Sequence, residues 1–182
     1  MPELIEGDAL HDRVVVDAVC EARQFVWIAT ADLKDMHIRR GQRYVPVLEH
    51  FAELARHGVR FRIVHSTLPT APFRSTLETL PTLVREALEL QICPRSHWKM
   101  VIVDGNFAYA GSANFTGAGL GVKHADRRNF ELGFVGREAA FVDALINKFD
   151  GFWMGNRCVS CRLRARCPDP IETELENLET SG

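Results

Sequence analysis

The sequence predicts an α/β chain of the α+β kind, a mixed β-sheet flanked by helices. Three observations predict it. Short runs of apolar, β-branched and aromatic residues recur along the chain. Segments of helical periodicity separate the first of them. Two later runs are joined by a turn pair that tolerates positive φ. The chain has 182 residues, which fits one main domain at roughly 100–200 residues each. Its 46% hydrophobic and 25% charged residues are an ordinary globular composition.

Leu10 to Arg23 carries Val15, Ala18, Val19 and Ala22 at helical spacing, with one face to bury. Phe25-Val26-Trp27-Ile28-Ala29 reads as a buried strand. Asp32 to Arg43 is polar and expected to be irregular. Val47, Leu48, Phe51, Leu54 and Ala55 repeat as in a helix, which Gly58 closes. Val59 to His65 alternates as a second strand. A loop with Pro69, Pro72 and Pro81 leads through a short helical stretch to a strand over Leu88–Cys93. Strands over Lys99–Val103, Phe107–Gly111 and Glu131–Val135 follow. Ala139 to Phe152 is the last helix, with Phe141, Leu145, Phe149 and Phe152 in line.

No apolar run approaches the ~18–20 residues of a membrane span. The opening residues lack the basic flank and apolar stretch of a secretory signal. A cytoplasmic chain with no membrane insertion is expected. The charge balance is 22 basic to 24 acidic residues, net −2. Glu172, Glu174, Glu176 and Glu179 lie in a C-terminal tail, residues 171–182, expected to be acidic and disordered. Arginines cluster at 39, 40 and 43, at 127 and 128, and at 157, 162, 164 and 166. Such clusters can hold phosphates whatever the net charge.

The chemistry concentrates in residues 97–114. Gly105-Asn106 reads as a two-residue turn, which sets Asp104 opposite Phe107, Lys99 opposite Ser112 and His97 opposite Asn114. Opposed residues share a face, as do residues two apart on a strand. His97, Lys99, Ser112 and Asn114 would then converge at the open end of an otherwise apolar hairpin, with Asp104 at the turn. A three-residue loop would reverse the parity. An imidazole, an ammonium, a hydroxyl and an amide together suit a tetrahedral oxyanion such as phosphate.

This segment resembles the motif of the phospholipase D superfamily: His-any-Lys, four residues, Asp, six residues, Gly-Ser, any, Asn. His97, Lys99, Asp104, Gly111, Ser112 and Asn114 match every spacing, and Asn129-Phe130-Glu131 is similar to the family's downstream Asn-any-Glu. The resemblance makes residues 1–155 a phospholipase D-like catalytic domain. It implies a phosphodiesterase working by two-step phosphoryl transfer through a phosphohistidine, with no cofactor for catalysis. His97 would be the nucleophile. Lys99 and Asn114, helped by Ser112, would bind the substrate phosphate. Glu131 would accept from His97 Nδ1, and Asp104 would complete the set by supporting the hairpin or a dimer contact.

In-line displacement places nucleophile and leaving group on opposite sides of phosphorus, so one imidazole cannot serve both. The chain carries one copy of the motif. A homodimer with a shared active site on its two-fold axis would supply the second.

Five cysteines are an odd count, which fits reduced thiols better than a disulfide framework. Cys158, Cys161 and Cys167 form Cys-x2-Cys-x5-Cys-Pro within a cysteine-rich segment, residues 156–170, among arginines. They suggest a thiolate metal site, zinc or an iron–sulfur cluster, with Cys93 favoured as the fourth ligand and Cys20 packed in the core.

Three functions follow for comparison. A nuclease acting on DNA or RNA fits the single motif and clustered arginines. Phospholipid hydrolysis or phosphatidyl transfer lacks an amphipathic basic helix. A non-catalytic nucleic-acid-binding module would not need the intact quartet. His65 is expected to pack, Trp27 and Trp98 to lie in the core, and the loops Ser66–Pro81 and Gly117–Arg128 to line a substrate groove.

Overall fold

The computed structural model describes residues 1–120 and 128–171. Arg127, part of the Gly117–Arg128 loop and all but one residue of the predicted acidic tail lie outside them. A seven-stranded mixed sheet organises the chain in the order β1-β9-β8-β7-β2-β5-β6. Its strands are β1 (Glu3–Glu6), β2 (Phe25–Thr30), β5 (Arg60–His65), β6 (Leu88–Ile92), β7 (Met100–Val103), β8 (Phe107–Gly111) and β9 (Leu132–Gly136). β2, β5 and β6 run parallel, and the other neighbours pair antiparallel. The predicted fold class is the one observed.

Helices cover both faces because the inner strands are apolar on both. In β7 all four residues are buried. Val101 and Val103 join the larger core with Phe51 and Leu48 of α2 (Val47–Arg56). Met100 and Ile102 face Val142 and Phe149 of α5 (Ala139–Trp153).

Several elements differ from expectation for local reasons. The first helical stretch is a turn of α1 (Asp8–Leu10), a π-helical segment His11–Val16 and a 3-10 turn Val19–Glu21. Three consecutive valines, stiff at χ1, stand where the winding departs from regular α. The polar stretch after β2 contains a two-stranded ribbon, β3 (His37–Arg40) and β4 (Arg43–Pro46), turning at Gly41 with φ 62°. Its arginines point outward, and Arg40 pairs with Glu53 at 2.9 Å. The proline-rich loop contains α3 (Ala71–Glu78) and α4 (Pro81–Glu86). Pro72 and Pro81 occupy first turns, where a missing N–H costs nothing, so they start helices here.

The hairpin register also differs. Met100 faces Ala110 and Val103 faces Phe107, so the loop holds three residues, Asp104, Gly105 and Asn106. Asp104 has φ 52° and Gly105 φ 67°, and Asn106 N donates to Val103 O at 3.1 Å. The left-handed pair is Asp-Gly, not Gly-Asn. Strand alternation alone therefore does not put Ser112 and Asn114 on the face of His97 and Lys99.

Gly111 is set by close approach. A Cβ there would lie 2.5 Å from Leu132 O, 2.5 Å from Tyr109 Oη and 2.7 Å from Gly133 Cα. Two of the three are backbone and cannot swing aside. Gly111→Ala should cost about 1–3 kcal/mol as overpacking. Thermal denaturation should show Tm falling about 2–4 °C per kcal/mol lost.

Candidate active site

β7 begins beside the carboxyl end of β2, where Ala29 faces Met100. Loops after parallel strands are the usual place for ligand-binding groups. Here the segments after β6 and β2 carry His97, Lys99 and Asp32 to one end of the sheet despite the altered register. His97 is exposed and Lys99 half-buried. Lys99 Nζ lies 2.9 Å from His97 Nδ1, 3.1 Å from its Nε2, and donates to His97 O at 3.0 Å. The imidazole and ammonium thus stand side by side at the surface.

Asn114 reaches the site by another route. The chain leaves β8 at Gly111 and crosses to the end of β2, where Asn114 Oδ1 accepts from Ala31 N at 3.0 Å, Asp32 N at 3.3 Å and Thr30 Oγ1 at 3.2 Å. With the oxygen held this way, the amide N–H groups are left for another acceptor; Nδ2 has no bond among the described residues. Thr30 is fully buried and also accepts from Phe115 N at 2.9 Å, tying the two crossing segments together.

Burial lowers the Lys99 pKa from 10.5, opposed by the carboxylates of Asp32 and Glu131. Nothing in the local sequence pattern marks Asp32 as part of the site. The signal that would have found it is its position just beyond the carboxyl end of a buried parallel strand.

Two expected contacts are corrected. Glu131 does not accept from His97. Its Oε2 accepts from Ser112 Oγ, and its Oε1 accepts from Asn129 Nδ2 at 3.1 Å. Ser112 Oγ also accepts from Leu132 N at 3.1 Å. Its hydroxyl is thus bonded to Glu131 and to β9.

Asp104 lies at the other end of β7. Its Oδ1 accepts from Gln24 N at 2.8 Å and Phe25 N at 2.9 Å, and its Oδ2 from Arg23 N at 2.8 Å. It staples the hairpin turn to the start of β2. That is a hairpin-supporting position of the kind expected for it, away from the open end of the hairpin.

His65 is buried, bonded through Nδ1 to Thr67 O at 2.8 Å, and its pKa is lowered chiefly by burial. Trp98 is 37% exposed, against expectation, and rests on Phe152. Trp27 stacks on Phe149.

Residues 15–153, more than half of the chain, match the family described as cardiolipin synthase, PLD-like domain. The chain belongs to the phospholipase D superfamily. Similar solved structures include NucT from Helicobacter pylori (14% identity, TM-score 0.60) and Nuc from Salmonella typhimurium, a phospholipase D family member (17%, 0.58). For each, 84% of this chain covers 95% of the other. TrmBL2, an archaeal chromatin protein with a novel mode of DNA binding, aligns at 15% identity and TM-score 0.56. There 84% of this chain covers 51% of that one, so the chain spans about half its length. At these identities the likeness is one of fold. No curated protein matches the chain. No helix among the described residues is long and apolar enough to cross a membrane. This phospholipase D-like chain therefore belongs to a phosphodiesterase-type enzyme family.

The expected cysteine metal site is not supported as a single-ion site: among the described residues no group of three or more His, Cys, Asp or Glu could hold one metal ion. Cys161 Sγ instead accepts from the Arg95 guanidinium at 3.3 Å, a hydrogen bond that lowers the thiol's pKa. Burial raises that of Cys93. Cys20 packs against the core as expected, and burial pushes its thiol up to about 12.

Proposed function

We propose that this phospholipase D-like chain hydrolyses phosphodiesters of nucleic acid through a phosphohistidine at His97, in a homodimer whose copies share one site. The observation that carries it is the exposed His97 ring with the Lys99 ammonium 2.9 Å from Nδ1. One His97 attacks phosphorus, forming a P–N bond as the P–O bond to the leaving alcohol breaks. The partner subunit's His97 protonates that oxygen. Water then attacks, giving its proton to the partner subunit's His97, and the P–N bond breaks. Lys99 and the Asn114 amide meet the non-bridging oxygens, where charge develops. The residues themselves supply nucleophile, acid and counter-charge, so this route needs no metal ion in the reaction.

Phospholipid turnover is the second reading. It is favoured by Phe130, Leu132 and Phe134, which stand exposed beside Glu131, and by the family's description. Incubation with single- and double-stranded DNA, RNA and phospholipid vesicles in excess chelator separates the two. Nucleic-acid cleavage that persists in chelator supports the first; lipid turnover alone replaces it with the second.

Charge on Lys99 gives the pH dependence a definite sign. As pH rises through its lowered pKa the ammonium is lost, and transition-state stabilisation with it. The kcat/KM profile should fall on an alkaline limb placed below the ordinary lysine value of 10.5. Lys99→Arg, charged throughout, should lack that limb.

A further inference from the structure

We propose that the cavity between β6, the segment leading to His97 and the chain after α5 binds an iron–sulfur cluster on Cys93, Cys158, Cys161 and Cys167. All four thiols line this one cavity of about 430 Å³. The fifth, Cys20, lies apart against the main core. Three of the four follow the residues that match the family, 15–153, so the cavity is not a property of the shared fold.

A second observation points to a ligand. Gln91 and Ser96 line the same cavity at 7% and 4% exposure. Gln91 Oε1 and Ser96 Oγ are buried there with no hydrogen-bond partner among the described residues. A buried polar group left without a partner is unfavourable. The Ser96 hydroxyl can donate to a sulfur, and so can the Gln91 amide after a half-turn about its last torsion. Arg95 already donates to Cys161 Sγ at 3.3 Å, and Arg157 and Arg162 share the lining. These cations offset the negative charge that four thiolates leave on a cluster, and N–H···S bonds tune it.

A cavity of about 430 Å³ lined by four thiols leaves room for a cluster between them, whereas zinc would draw all four onto one ion, at Zn–S about 2.3 Å. A four-iron cubane places each thiolate on a different iron, so its ligands stand around a volume instead of a point. Each thiol releases its proton on ligation. Bound this way, the cluster would tie residues 158–167 to the segment that enters His97.

The test uses the full chain, purified anaerobically and reconstituted with ferric iron, sulfide and dithiothreitol. The expected result is about four iron and four acid-labile sulfide per chain, with a broad visible absorption that dithionite bleaches. Cys161→Ser and Cys167→Ser should lose most of the iron, whereas Cys20→Ser and His97→Ala should keep it. Iron-free, sulfide-free protein with native circular dichroism would overturn the inference. One zinc without sulfide would overturn it too, as would equal iron loss in Cys20→Ser. The unmodified chain's stoichiometry decides even if a cysteine variant does not fold. Retention of the cluster by His97→Ala keeps this result separate from the phosphodiesterase reading.

Discussion

His97→Ala should abolish phosphodiester hydrolysis while leaving the fold unchanged. The ring is exposed and takes no part in either apolar core, so truncation leaves no cavity. Its only hydrogen-bonding neighbour among the described residues is Lys99. In the proposed homodimer this one substitution removes both nucleophile and general acid. Acid–base catalysis alone contributes about 10²–10⁴-fold, and removal of a nucleophile acting as a unit with it costs more. A loss of at least about 10⁴-fold in kcat is therefore expected. Single-turnover kinetics with wild-type and variant enzyme measure it, alongside circular dichroism and thermal denaturation to confirm an unchanged fold.

Asp104→Ala should do the reverse. It should destabilise the fold while largely preserving the rate per folded molecule. Its carboxylate accepts three backbone N–H groups from Arg23, Gln24 and Phe25. Hydrogen bonds to a charged group are each worth about 1.5–3 kcal/mol, less where water shares them. Asp104 also adopts φ 52°, which alanine tolerates poorly. A loss of about 3 kcal/mol is expected, or roughly 6–12 °C in Tm for a chain of this size. The five residue steps from Lys99 to Asp104 span about 17 Å of strand, too far for Asp104 to touch the phosphate. Denaturant titration read beside kcat on the folded fraction separates the roles. A normal Tm with lost activity would instead place Asp104 in the chemistry.

These two residues show what the chain's sequence makes legible. Strands such as Met100–Val103 are readable because they are apolar on both faces, and the motif spacing singles out His97 and Lys99 in any register. The hairpin register departs from the expected one because Asp104 itself supplies a left-handed turn residue, displacing the turn by one position. Asn114 bonds Asp32 at the end of β2, and the Asp32 carboxylate acts on Lys99, a long-range juxtaposition that no local period encodes. The resemblance pairs Glu131 with the imidazole, whereas the Ser112 hydroxyl and the Asn129 amide hold its carboxylate. Short or charged elements, β1 and the β3–β4 ribbon, carry too few apolar residues to signal themselves. Pro72 and Pro81 suggested a loop because a proline at a helix start looks the same in sequence as one that breaks a helix.

The central claim is that two subunits contribute His97 to one phosphorus, and mixed dimers test it most directly. Wild-type and His97→Ala chains, co-expressed with different tags in varied ratio, give random dimers when neither sequence is favoured. If each shared site requires both imidazoles, activity follows the square of the wild-type fraction. An equal mixture then retains about a quarter of full activity, and isolated heterodimers retain almost none. A linear dependence, with the equal mixture near one half and an active heterodimer or monomer, would contradict it.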